Sequence, residues 1–226
     1  MNKRDFIIKY ERLAAKVYSI FGRNSIRIAK GNNVSFSNIF MKHVVVDVRG
    51  TGNIIEVENG LTRLTNCRIT ICGSNSHIKI GSKSNLNHCH LYIEDSGGQI
   101  MIGQHVTTTG QTNFDVIEGK SITIGDDCLF SSEITFRVGD SHSILDKDTF
   151  NRINPSKDIK VGHHVWIGQD VKILKGTVIA DNCIVATGAI VTGIIAPPNS
   201  IIGGVPARVI KEGITWDAHR IPVGKS

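Results

Sequence analysis

The sequence predicts an all-β protein: a parallel β-helix (solenoid) with a short N-terminal helix, a protruding loop and a C-terminal tail. Three observations predict it. Equivalent apolar segments recur at a nearly constant interval, an unbroken six-residue period follows them, and one interruption is far too long to be a turn.

The recurring segments are Ile55-Glu-Val57, Ile78-Lys-Ile80, Ile100-Met-Ile102, Ile122-Thr-Ile124 and Ile159-Lys-Val161. Their second apolar residues lie 23, 22, 22 and 37 residues apart. Beyond Val161 the period is six, through Ile167, Ile173, Ile179, Val185 and Val191. Four residues after each of the first five stands something small or β-branched: Val165, Val171, Thr177, Cys183 and Ala189. Self-similarity of this kind marks a solenoid. Three hexapeptides close one triangular coil, with a flat strand on each side. The first residue of each hexapeptide points inward and stacks on its counterpart eighteen residues away. The residue four further on sits near a corner, where only a small side chain fits. Alternating β-branched residues also occur in antiparallel sheets, but hairpins do not sustain a period of six over such a length.

The longer upstream interval is one coil plus a short extrusion. Asp95-Ser-Gly-Gly and Glu118-Gly-Lys-Ser, rich in turn formers, fit that role. Cys67, Ile69 and Ile71 match Cys89, Leu91 and Ile93 but fall one residue out of the six-residue phase. Coils exist there, while the choice of inward side chains stays open.

A solenoid needs capped ends. Residues 1–30 are expected to form an N-terminal helical cap, 31–200 the β-helix with a loop at 137–158, and 201–226 a tail. Phe6, Tyr10, Leu13, Val17 and Phe21 have helical spacing over 3–22, with Lys3, Arg4, Lys9, Arg12 and Lys16 around them, and Gly22 would end that helix. Such a helix packs on the solenoid end or on a neighbouring subunit, or lies on a membrane surface as a peripheral anchor. At the other end Pro197-Pro198 breaks the repeat, and Gly203-Gly204-Val205-Pro206 opens the tail.

Composition narrows the partners. The chain has 226 residues and a net charge of +6, and only 6% of its residues are aromatic. Its basic residues form no single run and no stacking platform for bases is evident, which argues against nucleic acid. The charge suits a polyanionic substrate or cofactor. Five cysteines without a CxxC pair suggest neither a disulfide framework nor a zinc ribbon, and fit a reduced, cytoplasmic protein. No apolar stretch is long enough to span a bilayer, and the charged N-terminus has no secretory apolar region.

The interruption carries the candidate chemistry. A loop of this length inside a compact repeat is usually functional. It contains one histidine, His142, between Ser141 and Ser143, with Asp140 two residues earlier. A histidine, with an ordinary pKa near 6.5, can take a proton from a hydroxyl at neutral pH. A carboxylate two residues away would lie on the same face of an extended segment and could orient the imidazole. Glu133 is a rival orienter. A histidine in a polar loop is often only a surface residue; the length and singularity of this loop favour the general base.

Four segments carry a family resemblance: Asp140-Ser-His142, Val161-Gly-His-His-Val-Trp166-Ile-Gly168, Ile190-Val-Thr192 and Gly204-Val-Pro-Ala-Arg208-Val-Ile-Lys211. The stretch from about residue 102 to 211 resembles the hexapeptide-repeat acyltransferases, in particular the maltose/galactoside and the polysialic acid and capsular polysaccharide O-acetyltransferases. The 24 residues between His142 and Trp166 are similar to the His/Trp pair of the latter. The resemblance implies a left-handed parallel β-helix, acetyl-CoA as acyl donor, no metal, and a homotrimer with sites between subunits. It implies that His142 is the base and that Trp166 packs beside the pantetheine arm. It implies further that Gly168, Gln169, Ala186 and Thr187 line the coenzyme groove, with Thr192, Arg208 and Lys211 near the nucleotide end. Gly193 stands where the family often has a basic residue. Asn113, in Thr-Asn113-Phe-Asp115, matches an acceptor-binding Asn of the sugar acetyltransferases; Asp115 and Ser141 are grouped with it as acceptor contacts.

Direct transfer to a sugar hydroxyl of a capsular or surface polysaccharide is the reading that follows. A covalent acetyl-cysteine competes as a mechanism, although Cys128 and Cys183 fall at small-residue corner positions. A xenobiotic or antibiotic acetyltransferase of the same fold competes as a function. So does a metal solenoid resembling the γ-class carbonic anhydrases, with ligands among His88, His90, His105, His163 and His164. A scaffold without activity is the remaining class, one that coenzyme A binding would distinguish.

Overall fold

The computed structural model describes residues 13–36, 39–222 and 224. Strands run in three parallel sheets, here called faces A, B and C, with eight, eight and nine strands. The chain visits A, B and C in turn and climbs one coil per circuit, making eight coils. The ninth strand of face C, Ala207–Glu212, turns back antiparallel along Ser200–Gly204. The solenoid is a left-handed β-helix.

The expected stacking is the observed register. Val57 pairs with Ile80, Ile80 with Ile102, Ile102 with Ile124, and Ile124 with Val161. Val161 then pairs with Ile179, Ile167 with Val185 and Ile173 with Val191. All these side chains are buried, as are the small corner residues Val165, Val171, Thr177, Cys183 and Ala189. Burial is alternate along each strand because successive side chains point to opposite faces of a sheet. In Thr112–Val116, for example, Thr112, Phe114 and Val116 are buried while Asn113 and Asp115 face outward. The bulkiest core side chains lie in the fifth and sixth coils, where Phe114 and Phe136 stack at 4.9 Å and Phe130 lies 5.5 Å from Phe136.

The phase slip noted upstream has a local cause. Leu64 to Ile69 and Leu86 to Leu91 are one residue shorter than the equivalent step from Ile167 to Ile173. The C-to-A link is therefore one residue tighter in the early coils, and Cys67, Ile69, Ile71, Cys89, Leu91 and Ile93 all face the core. Extra residues go elsewhere. The links 72–76, 94–98, 117–120 and 138–158 all join a face A strand to the following face B strand, whereas the coil after the loop needs only 175–177 there. One corner of the prism thus takes up the insertions, apart from a single extra residue in the link 58–62 between faces B and C.

The B-to-C corner instead repeats one backbone conformation. His105, Asp127, His164, Asn182 and Asn199 occupy it in successive coils, with φ between 52° and 59°. Asn, Asp and His are the side chains that best tolerate this left-handed region. They also bond along the axis, His105 Nδ1 to Asp127 Oδ1 at 3.1 Å and His164 Nδ1 to Asn182 Oδ1 at 3.0 Å. His88 takes the same conformation at the C-to-A corner. Corner geometry therefore accounts for three of the histidines considered as metal ligands.

Both ends differ from expectation. The first strand, Ser25–Ile28, already pairs with Val45–Val48, so the solenoid starts inside the segment expected to be cap. Ser200–Gly204 still pairs in parallel with Ile184–Val185, so the last coil extends into the expected tail. Residues 13–20 are helical, while Phe6 and Tyr10 lie outside the described residues. The apolar stripe does not form the contact: Leu13, Val17 and Phe21 are exposed and Ala15 is buried. Ala15 and Ser19, one turn apart, bring the helix close to the first coil, where Ser19 Oγ donates to Ile39 O (3.0 Å) and accepts from Met41 N–H (3.2 Å). The open edge strand of the first coil needs hydrogen-bond partners; Ala15 and Ser19 are small enough to let the helix approach it, and Tyr18 meets the Phe40 ring edge-on at 5.7 Å. Among the described residues no helix is long and apolar enough to cross a membrane.

Candidate active site

The long loop leaves at the A-to-B corner and is tied down at its base. Lys157 N–H donates to Val138 O (2.9 Å) and Ser121 N–H to Asp158 Oδ1 (2.7 Å). A Cβ on Gly139 would fall 2.1 Å from Ser156 Oγ and 2.6 Å from Ile117 Cδ1, so a larger residue there would have to push these side chains aside. Further out, Ile153 N–H donates to Ile144 O (2.9 Å), and Leu145 bridges Arg152 antiparallel.

Asn154, buried inside the loop, holds the segment that presents His142. Its Nδ2 donates to His142 O (2.8 Å) and Asp140 Oδ2 (2.9 Å), and its Oδ1 accepts from Ile144 N–H (2.8 Å). His142 N–H donates to Asp140 O (2.8 Å). The backbone on both sides of the imidazole is therefore fixed, while the ring is exposed and, among the described residues, has no hydrogen-bond partner.

The expected pairing of Asp140 with His142 does not occur. The Asp140 carboxylate forms an ion pair with Lys175 of the next coil and accepts from Asn154. Lys175 and, second, Asn154 hold its pKa below the usual carboxylate range. Asp140 thus anchors the loop to the solenoid instead of orienting the ring; a local alternation cannot compete with an ammonium arriving from the coil beneath. Glu133 lies at the C-to-A corner, not the loop corner. A second anchor links Arg152 Nη2 to Glu118 Oε1 (2.5 Å), and Ser156 N–H donates to Glu118 Oε2 (3.2 Å).

The acceptor candidates gather beside this loop on face A. Asn113 and Asp115 point outward, Asp115 pairs across the strands with Arg137, and Arg137 Nη2 donates to Ser141 Oγ (2.7 Å). Tyr92 lies on the other side of Asp115 and His90 on the other side of Asn113. Burial raises the Asp115 pKa, opposed by Arg137 and His90, and burial lowers that of His90. These outward side chains are half-buried, and they form a shallow polar surface leading to Ser141-His142.

The donor candidates gather elsewhere. Trp166 stands on face C, 39% exposed. Gly168 and Gln169 follow it into the C-to-A corner, and Ala186 and Thr187 occupy that corner one coil on. A Cβ on Gly168 would lie 2.7 Å from Thr187 N, so the two coils approach closely here. Arg208 and Lys211 project from the antiparallel strand that extends face C. Thr192 is separated from this set, because it follows Ile190–Val191 of face A toward the A-to-B corner. Cys128 and Cys183 are fully buried, and burial pushes the Cys128 thiol up to about 12. Both sulfur atoms are sealed in the core, out of reach of a donor.

One aromatic residue went unnoticed in the sequence. Trp216, in the tail, stacks on His164 at 4.3 Å and lies 6.1 Å from Trp166. Only its being one of two tryptophans in the chain could have flagged it.

Fold and spacing together define a left-handed β-helix with a six-residue repeat in its later coils, and the bacterial transferase hexapeptide family (six repeats) matches residues 158–193. Within that class the chain resembles the polysialic acid O-acetyltransferases. The one from Escherichia coli O1:K1 is 34% identical over 125 residues, covering 55% of this chain and 40% of that protein. The one from Neisseria meningitidis is 29% identical over 189 residues, covering 74% of this chain and 87% of that protein. The solved structure of the polySia-specific acetyltransferase NeuO superposes with a TM-score of 0.71 at 26% identity, covering 87% of this chain and 83% of that one.

Proposed function

We propose that this chain is an acetyl-CoA-dependent O-acetyltransferase acting on a sugar hydroxyl of a capsular or surface polysaccharide. The single observation that carries the reading is the loop at the A-to-B corner. It fixes the backbone around one exposed imidazole beside an outward-facing polar surface, in a fold shared with a polysialic acid acetyltransferase.

The chemistry follows from the groups present. The sugar hydroxyl lies on Asn113, Asp115 and Ser141, and His142 takes its proton as the oxygen attacks the thioester carbonyl. The tetrahedral intermediate collapses with cleavage of the C–S bond, and the imidazolium returns its proton to the departing thiolate. Backbone N–H groups of the coil stabilise the oxyanion. Trp166, Gly168, Gln169, Ala186 and Thr187 line the pantetheine path, while Arg208 and Lys211 supply cations for the coenzyme phosphates. Thr192, just past the end of a face A strand, belongs to the donor site of a neighbouring subunit.

His142 leaves from the corner between faces A and B, and Trp166 stands on face C, the side opposite that corner. A complete site therefore requires the loop of one subunit and face C of another, which supports a homotrimer with sites between subunits. The reaction is placed in the cytoplasm, where acetyl-CoA is available. The positive net charge favours an anionic glycan over a neutral xenobiotic acceptor.

The test is acetyl-CoA consumption with a panel of glycans, run beside His142→Ala. The reading expects activity with an anionic glycan and its loss in the variant. Full activity in the variant would remove His142 as the base.

A further inference from the structure

The C-terminal tail does something the solenoid does not need. After Glu212 the chain leaves the last coil and runs back along the outside toward coil 6, a climb of about 10 Å at one strand spacing per coil. Ile214 N–H donates to Asn199 O (3.0 Å) and Asn199 Nδ2 donates to Ile214 O (2.9 Å), pinning the start of the run. Trp216 pins its far end. Its Nε1–H donates to His164 O (2.8 Å), and its ring lies flat on the His164 ring, 4.3 Å away and 6° from parallel.

None of this closes the core, which is already complete beneath Val165 and Ile167. What the tail reaches is Trp166. The two indoles are 6.1 Å apart and tilted by 45°, within the range of a favourable aromatic pair. Trp166 stands between Trp216 on one side and the close approach of Gly168 to Thr187 on the other. A stack, a hydrogen bond and a two-way amide link thus fix one ring, which in turn limits the positions open to its neighbour. His164 serves twice, as the left-handed corner residue and as the base of the stack.

We propose that Trp216 is a positioning residue that braces Trp166 against the pantetheine arm of the acyl donor, so that the C-terminal tail forms part of the donor site. This rests on the acetyltransferase reading above. Removing the brace leaves Trp166 free to turn, and ordering it again on binding costs donor affinity, while the base and the acceptor surface are untouched.

Trp166 and Trp216 are the only tryptophans, so the test can watch them directly. Wild type, Trp216→Ala and Trp216→Phe are compared by coenzyme A titration of tryptophan fluorescence, by steady-state kinetics and by thermal melting. Wild type also gives the paired-sign circular dichroism of two coupled indoles, which Trp216→Phe and Trp166→Phe both abolish. Trp216→Ala is expected to raise the coenzyme A Kd and the acetyl-CoA KM about three- to tenfold, the value of one aromatic contact. The acceptor KM and the melting temperature stay near wild type, and Trp216→Phe recovers most of the donor affinity. Unchanged donor Kd and KM in Trp216→Ala would overturn the proposal, as would wild type without the coupled-indole signal. A loss of melting temperature with normal donor kinetics would reduce Trp216 to a strap and also overturn it. If wild type neither binds coenzyme A nor consumes acetyl-CoA, the acetyltransferase reading fails and this inference with it; normal donor binding with a silent Trp216→Ala sinks this inference alone.

Discussion

The corner between faces A and B and the surface of face C divide the work of this molecule. The corner is where insertions accumulate, from the short link 94–98 to the loop 138–158, and it presents His142. Face C is regular up to the last coil, and its outer surface carries Trp166, the glycine approach at Gly168 and the cations of the antiparallel strand. A repeating frame tolerates extra chain wherever coils need not follow one another, so novelty collects at one corner while stacking elsewhere is kept. The two surfaces lie on opposite sides of one chain. On the reading proposed above, each subunit carries half of two different sites.

The comparison breaks most completely at the imidazole. His142→Ala should lower kcat by about 10²–10⁴-fold, the usual weight of a general base, with the melting temperature unchanged. Damage to the shared frame should instead spare neither side. Phe136→Ala empties the stack under the loop's departure point and should cost about 3–5 kcal/mol of stability, read by denaturant unfolding.

A smaller effect separates the loop from the frame. Asn154→Ala removes the bonds to Ile144, His142 and Asp140. It should loosen the loop by about 1–3 kcal/mol, seen as faster proteolysis within 138–158 and a lower kcat with an unchanged donor KM.

The smallest effect is one of pH. Lys175 holds the Asp140 pKa below its ordinary value, so the clamp is present above the normal carboxylate range, about pH 4. It is lost as pH falls through the lower folded value. Lys175→Met lacks the clamp throughout, so its excess loop proteolysis over wild type should be present near neutrality and vanish in acid. An excess that persists at the lowest pH would contradict the ion pair's role.

Much of this was written in the spacing. The residues from Val57 to Val191 announced their own registers, because in a solenoid the neighbour across the ladder is always one coil away in sequence. The loop boundaries followed from the same arithmetic. The failures share a different cause. Lys175 meets Asp140 from 35 residues away, and Trp216 meets His164 from 52, through turns whose direction no periodicity encodes. Asp140 looked like a partner of His142 because it was near in sequence; the coil beneath supplied a stronger one. Thr192, grouped with the donor residues by resemblance, follows the end of face A, away from the other donor candidates of its own chain. The helix stripe at Leu13, Val17 and Phe21 misled similarly, since the small residues Ala15 and Ser19 make the contact.

The division of the site between subunits is tested most directly by mixing two disabled proteins. His142→Ala keeps face C and Trp166→Ala keeps the loop, so neither homotrimer has a complete site. Unfolded together in equal amounts and refolded, they should form mixed trimers that regain about a quarter of wild-type activity, the statistical share of interfaces with one intact half from each parent. Mixed trimers no more active than the parents would mean that both residues must come from one chain, and would contradict the account.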